Sequence, residues 1–494
     1  MRALTARFGP ALFLVAYFFW FAGGGLWARF TGDDLMNLNF HLTPSFARLL
    51  LSNLTYWTTA YRPMGGILYV AIYRLAGFHS MPFRVVCFGL LLLNLGLLFR
   101  VCLRLTGRRE VALLATLLVS YHAWMVNLYY STGTVYELLC FAFYWAAFDY
   151  YLGVRQAGKT LRPGQLAVFL ALYICALNSK ELAVTLPLCV LCYEWIWHRT
   201  YRAGPGAHPV KERDGTYSAG PGGHPVSERD RTYRAGPGGH PVRERYAAVA
   251  LSALVTLPYV VGKLTGPDSL AANPLYRPAI SPARYLHTFH LYLNVLFYQD
   301  HFFRDANTIL LVAAMLALAI WRHSRPLLFA WCFSLFSVLP FIFVPHYSGF
   351  FLYLPMAGWA LYAATAIEML RGRFAKAVPP AVVFLTVALV LGPLHARESR
   401  KTMQVFTSAD LPTTETIAQL RRVQPSVPKG AHLFFESDPF PPKTFSLVFL
   451  VRLFYDDLTV EVARAKDGDA ADSRHFDAVF RWDDGNLVKV EPPL

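Results

Sequence analysis

The sequence predicts an all-α polytopic membrane bundle of about eleven transmembrane helices, followed by a small C-terminal α/β domain. Three observations carry that expectation. The 494 residues are 55% hydrophobic and only 16% charged, against roughly 45–50% and about 25% in an ordinary globular chain. The apolar residues fall in blocks of about 16–22, each near the length of a bilayer-crossing helix. Short basic connectors separate the blocks. Soluble, disordered and fibrous chains do not fit this pattern. Neither does a β-barrel, whose strands would alternate every second residue.

The first block runs from about Pro10 to Ala28, behind Arg2 and Arg7. A cleaved signal peptide has that layout. An uncleaved first helix is the expectation, because many more spans follow and a charged loop comes at once. The next spans are drawn at 82–103, 110–129, 134–152, 164–179, 182–198, 246–263, 307–321, 326–345, 350–369 and 377–394. The stretch 64–78 is apolar but short and carries Arg74; it is expected as an amphipathic helix lying at the interface.

Charge tests this count. Lys and Arg number 46 against 31 Asp and Glu, a net charge of +15. Nucleic acid is not the expected partner, because the cations cluster in connectors, where cytoplasmic loops carry them. With Arg2 and Arg7 inside, Arg104, Arg108 and Arg109 also fall inside. So do Arg155, Lys159 and Arg162, the loop 199–245, Arg322 and Arg325, and Arg371, Arg373 and Lys376. The expected protein is therefore a multi-pass one of a plasma or bacterial-type inner membrane. Loops 29–81 and 264–306 and the C-terminal tail would lie outside. Seven cysteines, Cys87, Cys102, Cys140, Cys175, Cys189, Cys192 and Cys332, all sit in apolar segments, so no disulfide framework is expected.

Within the membrane domain, 1–394, the 199–245 loop is a tandem repeat of period 16, beginning YRAGPGAHPVKERDGT. Gly, Pro and charge dominate it, so it cannot build a core. His208, His224 and His240 recur once per unit, and each stands alone, which disfavours a metal array. From about 395 the spans stop. A helix is expected near 413–422, a strand near 431–435, a helix near 444–455, and strands near 459–465, 476–481 and 487–490. The segment 395–494 thus reads as a small external α/β domain that packs on the bundle or docks an acceptor.

Four features could carry chemistry. Thr31-Gly32-Asp33-Asp34 follows the first helix. It is either a solvated helix end capped by Asp or a general base and cation ligand at the membrane surface, since neighbouring like charges raise one carboxylate's pKa. A divalent cation is one cofactor it could hold; no dedicated metal site is expected. Asn178-Ser179-Lys180-Glu181 interrupts two apolar runs. It marks a hairpin turn, or it sets Lys180 against an anionic phosphate with Glu181 orienting Lys180 or a substrate hydroxyl. In Tyr61-Arg62-Pro63, Pro63 suits the first turn of the helix at 64–78, leaving Arg62 to snorkel or to meet a phosphate or Asp33 and Asp34. His346-Tyr347-Ser348-Gly349 ends the ninth span, where His346 is an interfacial residue or a phosphate or sugar ligand.

All four fall on the expected outer face, although the topology was drawn without them. A carboxylate facing basic groups at the mouth of a bundle suits sugar transfer from a lipid phosphate. The carboxylate takes the proton of an acceptor hydroxyl, the oxygen attacks the anomeric carbon, and Arg, Lys or His stabilises the departing phosphate. Single displacement inverts the anomeric centre.

Over about residues 1–370 the sequence resembles the GT-C superfamily of membrane glycosyltransferases, which use polyprenyl-phosphate sugars. The closest likeness is to protein O-mannosyltransferases of the tetratricopeptide-repeat class and their bacterial relatives. The acidic pair matches Asp33-Asp34, the Tyr-Arg-Pro segment Tyr61-Arg62-Pro63, and the Ser-Lys-Glu segment Ser179-Lys180-Glu181. The family's His-Pro…Glu-Leu stretch reads here His122-Ala123 with Glu137-Leu138, and its Tyr-Leu-Pro segment is Tyr353-Leu354-Pro355. The resemblance implies Asp33 as catalytic base, with Asp34 in support. A basic residue commonly precedes Tyr-Leu-Pro; here those positions read Gly349-Phe350, which leaves Arg62, Lys180 or His346 for the donor phosphate. No tetratricopeptide repeats follow, so the acceptor stays open among protein, glycan and lipid. The rival expectations are a transporter or flippase, which would need mid-bilayer helix breaks in two related halves, an outer-face glycan ligase or polymerase, and a non-catalytic descendant of the family.

Overall fold

The computed structural model describes residues 2–58, 61–198, 242–265, 269, 276–345, 348–374, 377–468 and 476–490. The repeats at 199–241, together with His346, Tyr347 and Lys376, lie outside the described residues.

Helix α1 (Arg2–Ala22) leads through a Gly-rich turn to α2 (Gly32–Leu42), α3 (Phe46–Leu54) and α4 (Pro63–Ala76). Pro63 opens α4 at its first position, where its missing N–H costs nothing. Next come α5 (Ser80–Thr106), α6 (Arg109–Ser120), α7 (Val126–Tyr130), α8 (Val135–Gln156), α9 (Pro163–Leu177) and α10 (Leu186–His198). Beyond the repeats lie α11 (Val242–Thr265), α12 (Pro282–Leu296), α13 (Asp305–Trp321), α14 (Arg325–Phe336), α15 (Leu339–Ile342), α16 (Tyr353–Phe374) and α17 (Pro380–Val423).

Six stretches are long and apolar enough to cross a membrane: Gly9–Trp27, Ser80–Thr106, Tyr246–Thr265, Arg325–Ile342, Gly349–Phe374 and Pro380–Gln404. A seventh arises if Arg109–Ser120 and Ala123–Tyr130, bent by 59°, form one span. The chain is thus a helical membrane protein by length and composition. The other expected spans are also helical, but α9, α10 and α13 run only 15, 13 and 17 residues. Helix α8 carries Glu137, Asp149 and Arg155. Among the described residues, length and composition therefore support six or seven spans rather than eleven.

Charges inside the bundle are paired, as burial in a low-dielectric medium demands. Asp149 on α8 accepts from Arg100 at 2.8 Å and Arg104 at 2.6 Å on α5. Arg155 forks onto both oxygens of Glu194 at 2.7 and 3.0 Å, tying α8 to α10. The break between α6 and α7 is similarly served. The His122 amide donates to the Tyr129 hydroxyl, and the Ala123 amide to the Tyr298 hydroxyl, so backbone donors released by the break keep partners.

Helix α17 spans 44 residues and crosses the boundary drawn at 394, with Pro393 and Pro412 inside it. Beyond its apolar part the helix is carried by polar turns such as the Glu398–Lys401 pair. The tail folds as expected into β1 (His432–Phe435), α18 (Ser446–Phe454), β2 (Glu461–Arg464), β3 (Ala478–Asp483) and β4 (Asn486–Val490). The sheet order is β2-β1-β3-β4, with β1 parallel to both neighbours and β3–β4 antiparallel. The turn Asp484-Gly485 has positive φ at both residues, 41° and 78°, the conformation a tight hairpin favours. Alternation splits the sheet: Leu433, Phe435 and Phe480 join the main core, while Phe434, Val479 and Phe476 pack on the other face.

This small domain docks on the bundle. Helix α18 packs along α2, Gly32 faces Ser446, and the Tyr73 hydroxyl on α4 donates to Asp456 at 2.6 Å. The C-terminal domain therefore sits at the bundle end that carries the acidic pair. The connectors bearing Arg108, Arg322 and Arg373 meet at another point, around one cleft.

Candidate functional site

Helix α2 begins with a capping box. The Asp34 amide donates to the Thr31 hydroxyl at 3.2 Å, and the Thr31 amide donates back to Asp34 Oδ2 at 2.9 Å. This satisfies two backbone donors that a helix start leaves orphaned. Arg84, near the start of α5, donates to the same oxygen at 2.9 Å. Asp34 Oδ1 accepts from the Ser131 hydroxyl at 2.8 Å and the Gly133 amide at 2.7 Å. Both Asp34 and Arg84 are buried. The sequence reading gave Asp34 a share in catalysis or in holding a cation. Its carboxylate is instead committed to four donors inside the fold, which pins the start of α2 to α5 and to the 131–133 turn.

Asp33, one residue earlier on the same turn, is exposed. Its carbonyl accepts from Asn37 at 2.8 Å. The Tyr136 hydroxyl donates to Asn37 Oδ1 at 2.8 Å, and the Tyr136 ring lies 5.1 Å from the Arg62 guanidinium. One tyrosine layer thus separates the α2 turn from Arg62.

Arg62 caps α4 in the left-handed conformation, φ 43° and ψ 58°, which costs a residue with a β-carbon roughly 1–2 kcal/mol. Contacts hold it there. It donates to the Tyr61 hydroxyl at 2.8 Å and to Glu181 at 3.2 Å, and its guanidinium stacks on the Tyr61 ring at 4.6 Å. Its Nε is buried with no hydrogen-bond partner among the described residues. Lys180 forms a close ion pair with Glu137 on α8, both nearly inaccessible. Burial, then Arg62, lowers the Lys180 pKa, against the pull of Glu137 and Glu181. Burial alone would raise Glu181, but Arg62, Lys180 and Lys263 outweigh it and hold that carboxylate at about 2. A narrow crevice, too tight to hold a water molecule as it stands, lies beside Arg62, lined by Ser52, Tyr56, Thr58, Pro63, Leu177, Asn178, Tyr259 and Lys263. Asn178 ties the two loops together, its side chain donating to the Asn53 carbonyl at 2.8 Å.

Beneath Tyr136 lies His41, with Nε2 2.8 Å from the Tyr136 hydroxyl and its ring stacked near Tyr61 and Tyr69. Burial, with a further push from Arg62, lowers its pKa to about 4.

The structure brings Arg62, Lys180 and Glu181 together, adding Glu137 and Lys263. Of the expected site residues that the structure describes, Arg62 lines the crevice, while Asp33, Asp34, Lys180 and Glu181 do not; His346 lies outside the described residues. Gly349-Phe350 has a physical cause: a β-carbon at Gly349 would collide with the Trp124 carbonyl, so no side chain fits there. Lys180 stands nearby instead, 5.1 Å from the Phe351 ring and 5.9 Å from Phe350. Tyr353 stacks on Phe141 of α8 at 4.5 Å.

Sequence reasoning missed Arg84, the site role of Glu137, and Lys263. A lone Arg at the head of an apolar span, and a Glu at the head of another, are signals in themselves. Thr31-x-x-Asp34 is a legible capping box. Among the described residues, no group of three or more His, Cys, Asp or Glu could hold a metal ion. No protein-family model matches the chain, and no curated protein shows significant similarity to it.

Proposed function

We propose that the protein is an inverting membrane glycosyltransferase, moving a sugar from a polyprenyl phosphate to an acceptor hydroxyl at the α2 end of the bundle. One observation carries this reading: Arg62, Lys180 and Lys263 gather around Glu181, with Arg62 and Lys263 lining a narrow crevice, one tyrosine layer from the helix turn that presents Asp33. Asp33 takes the acceptor proton. The acceptor oxygen bonds to the anomeric carbon while the carbon–oxygen bond to phosphate breaks, and the electron pair leaves on the lipid phosphate. Arg62, whose Nε has no partner among the described residues, and Lys180 meet that growing negative charge. Glu181 orients Arg62, and Asp34 positions Asp33 by locking the helix start. A role for His346 beside the phosphate belongs to the same proposal, as do the eleven-span topology and the outer-face placement of the site.

A transporter draws support from the 59° break between α6 and α7. That break is filled, however, by His122 stacked on Tyr298 at 4.4 Å, which leaves little room for a solute.

Mass spectrometry of cell-envelope glycans and glycoproteins tests the proposal, comparing cells with the chain, without it, and with D33N. A single sugar addition present only with the intact chain is expected. Identical glycans in all three, or loss of a whole glycan block, would refute single-sugar transfer.

A further inference from the structure

Away from the proposed catalytic site lies a larger cleft, of about 640 Å³, lined by Arg108, Arg322, Glu368, Met369, Arg373 and Phe374. Three connectors distant in sequence supply its arginines: the start of α6, the α13–α14 turn and the end of α16. Its one carboxylate, Glu368, is buried and already engaged, accepting from Arg371 at 2.8 Å and lying 3.7 Å from Arg108. Glu368 therefore orients Arg108 and Arg371 rather than neutralising the cleft, whose lining carries three guanidinium groups against one carboxylate. Arg322 and Arg373 each lie beside an aromatic ring, Trp321 at 5.5 Å and Phe374 at 5.7 Å. That contact holds a guanidinium in place without using its N–H donors. Phe374 in the lining is 77% exposed, and Leu370, Ile320 and Trp321, next in sequence to or one removed from lining residues Met369 and Arg322, are exposed as well.

We infer that this cleft binds the phosphodiester headgroup of an anionic phospholipid, with the acyl chains lying against the exposed apolar flank. Guanidinium groups match phosphate oxygens in fork geometry, and basic pockets between membrane helices suit anionic headgroups. A free phosphate would use the arginines and gain nothing from Phe374 or Leu370. The two faces of the cleft together therefore favour the lipid.

Full-length protein is extracted in mild detergent from nanodiscs holding equal phosphatidylglycerol and phosphatidylcholine, and retained lipids are counted by native mass spectrometry. Wild type is expected to retain phosphatidylglycerol about tenfold over phosphatidylcholine. R322Q/R373Q should lose that preference while eluting as a single species, and R322K/R373K, which keeps the charge without the fork, should keep a reduced preference. Equal retention of the two lipids by wild type overturns the proposal without recourse to any variant. Undiminished preference in R322Q/R373Q also overturns it. So does displacement of the lipid by millimolar inorganic phosphate alone, which would assign the cleft to the free anion.

Discussion

At the α2 end, Arg62, Lys180 and Arg84 each lie against a carboxylate inside the fold. In the arginine cleft, by contrast, Arg108, Arg322 and Arg373 share a lining that holds only the one carboxylate Glu368. Both regions concentrate cations at helix ends, yet their energetics differ. A buried cation needs a buried partner, because desolvation is not repaid otherwise; such a pair is rigid and pre-set. Cations around an open cleft stay hydrated and keep donors to spare, which suits an exchangeable anion. The contrast separates charges that shape a site from charges that wait for a ligand.

The largest expected effect comes from breaking a buried pair at the α2 end. R84A strands Asp34 inside the fold, and such losses run to about 3–5 kcal/mol. Thermal unfolding in detergent should show a clear drop, and D34L/R84M, which removes both charges, should lose less. An unchanged midpoint in R84A would mean that this pair does not organise α2.

R62Q sharpens the comparison, because Arg62 serves both roles. It is mostly buried, with 18% of its side chain exposed, is paired with Glu181, and carries a buried Nε without a partner among the described residues. Loss of one charge-assisted contact worth about 1.5–3 kcal/mol predicts a fall in kcat/KM for the lipid-phosphate donor of roughly 10–100-fold, with a smaller change in stability than in R84A. Steady-state transfer assays across donor concentrations check this. A stability loss with unaltered kcat/KM would make Arg62 purely structural.

A smaller effect follows from His41. Its folded pKa, about 4, lies below its ordinary value, so the unfolded chain binds the proton first as pH falls. The stabilisation from neutral His41 is complete above about pH 6.5 and is lost as pH drops toward 4, at most about 3 kcal/mol. Unfolding midpoints between pH 7.5 and 4.5 should fall more steeply for wild type than for H41Q. Parallel curves would contradict the buried, neutral assignment.

Local signals are legible in the sequence. Pro63 marked the start of α4, and the strand and helix segments of the tail folded close to where alternation and periodicity put them. The domain boundary at 394 was less visible, because polarity changes there while helical propensity does not, so α17 runs through. The span count is not settled by length and composition: α8 is buried by its neighbours and tolerates Glu137, Asp149 and Arg155 through partners on other helices. In the site, the residue types were legible and the pairings were not. Lys180 and Glu181 are adjacent in sequence but choose different partners, Glu137 and Arg62, because successive side chains in an extended-to-turn segment diverge. Asp33 and Asp34 diverge likewise on the first turn of a helix: one faces solvent and the other faces Arg84.

Whether Asp33 is the base in sugar transfer can be read from purified protein in nanodiscs supplied with polyprenyl-phosphate sugar and a hydroxyl acceptor. D33N should lower kcat about 10²–10⁴-fold with an unchanged unfolding midpoint, and the wild-type product should carry an inverted anomeric centre. Full activity in D33N, or a retained anomeric configuration, would contradict this mechanism.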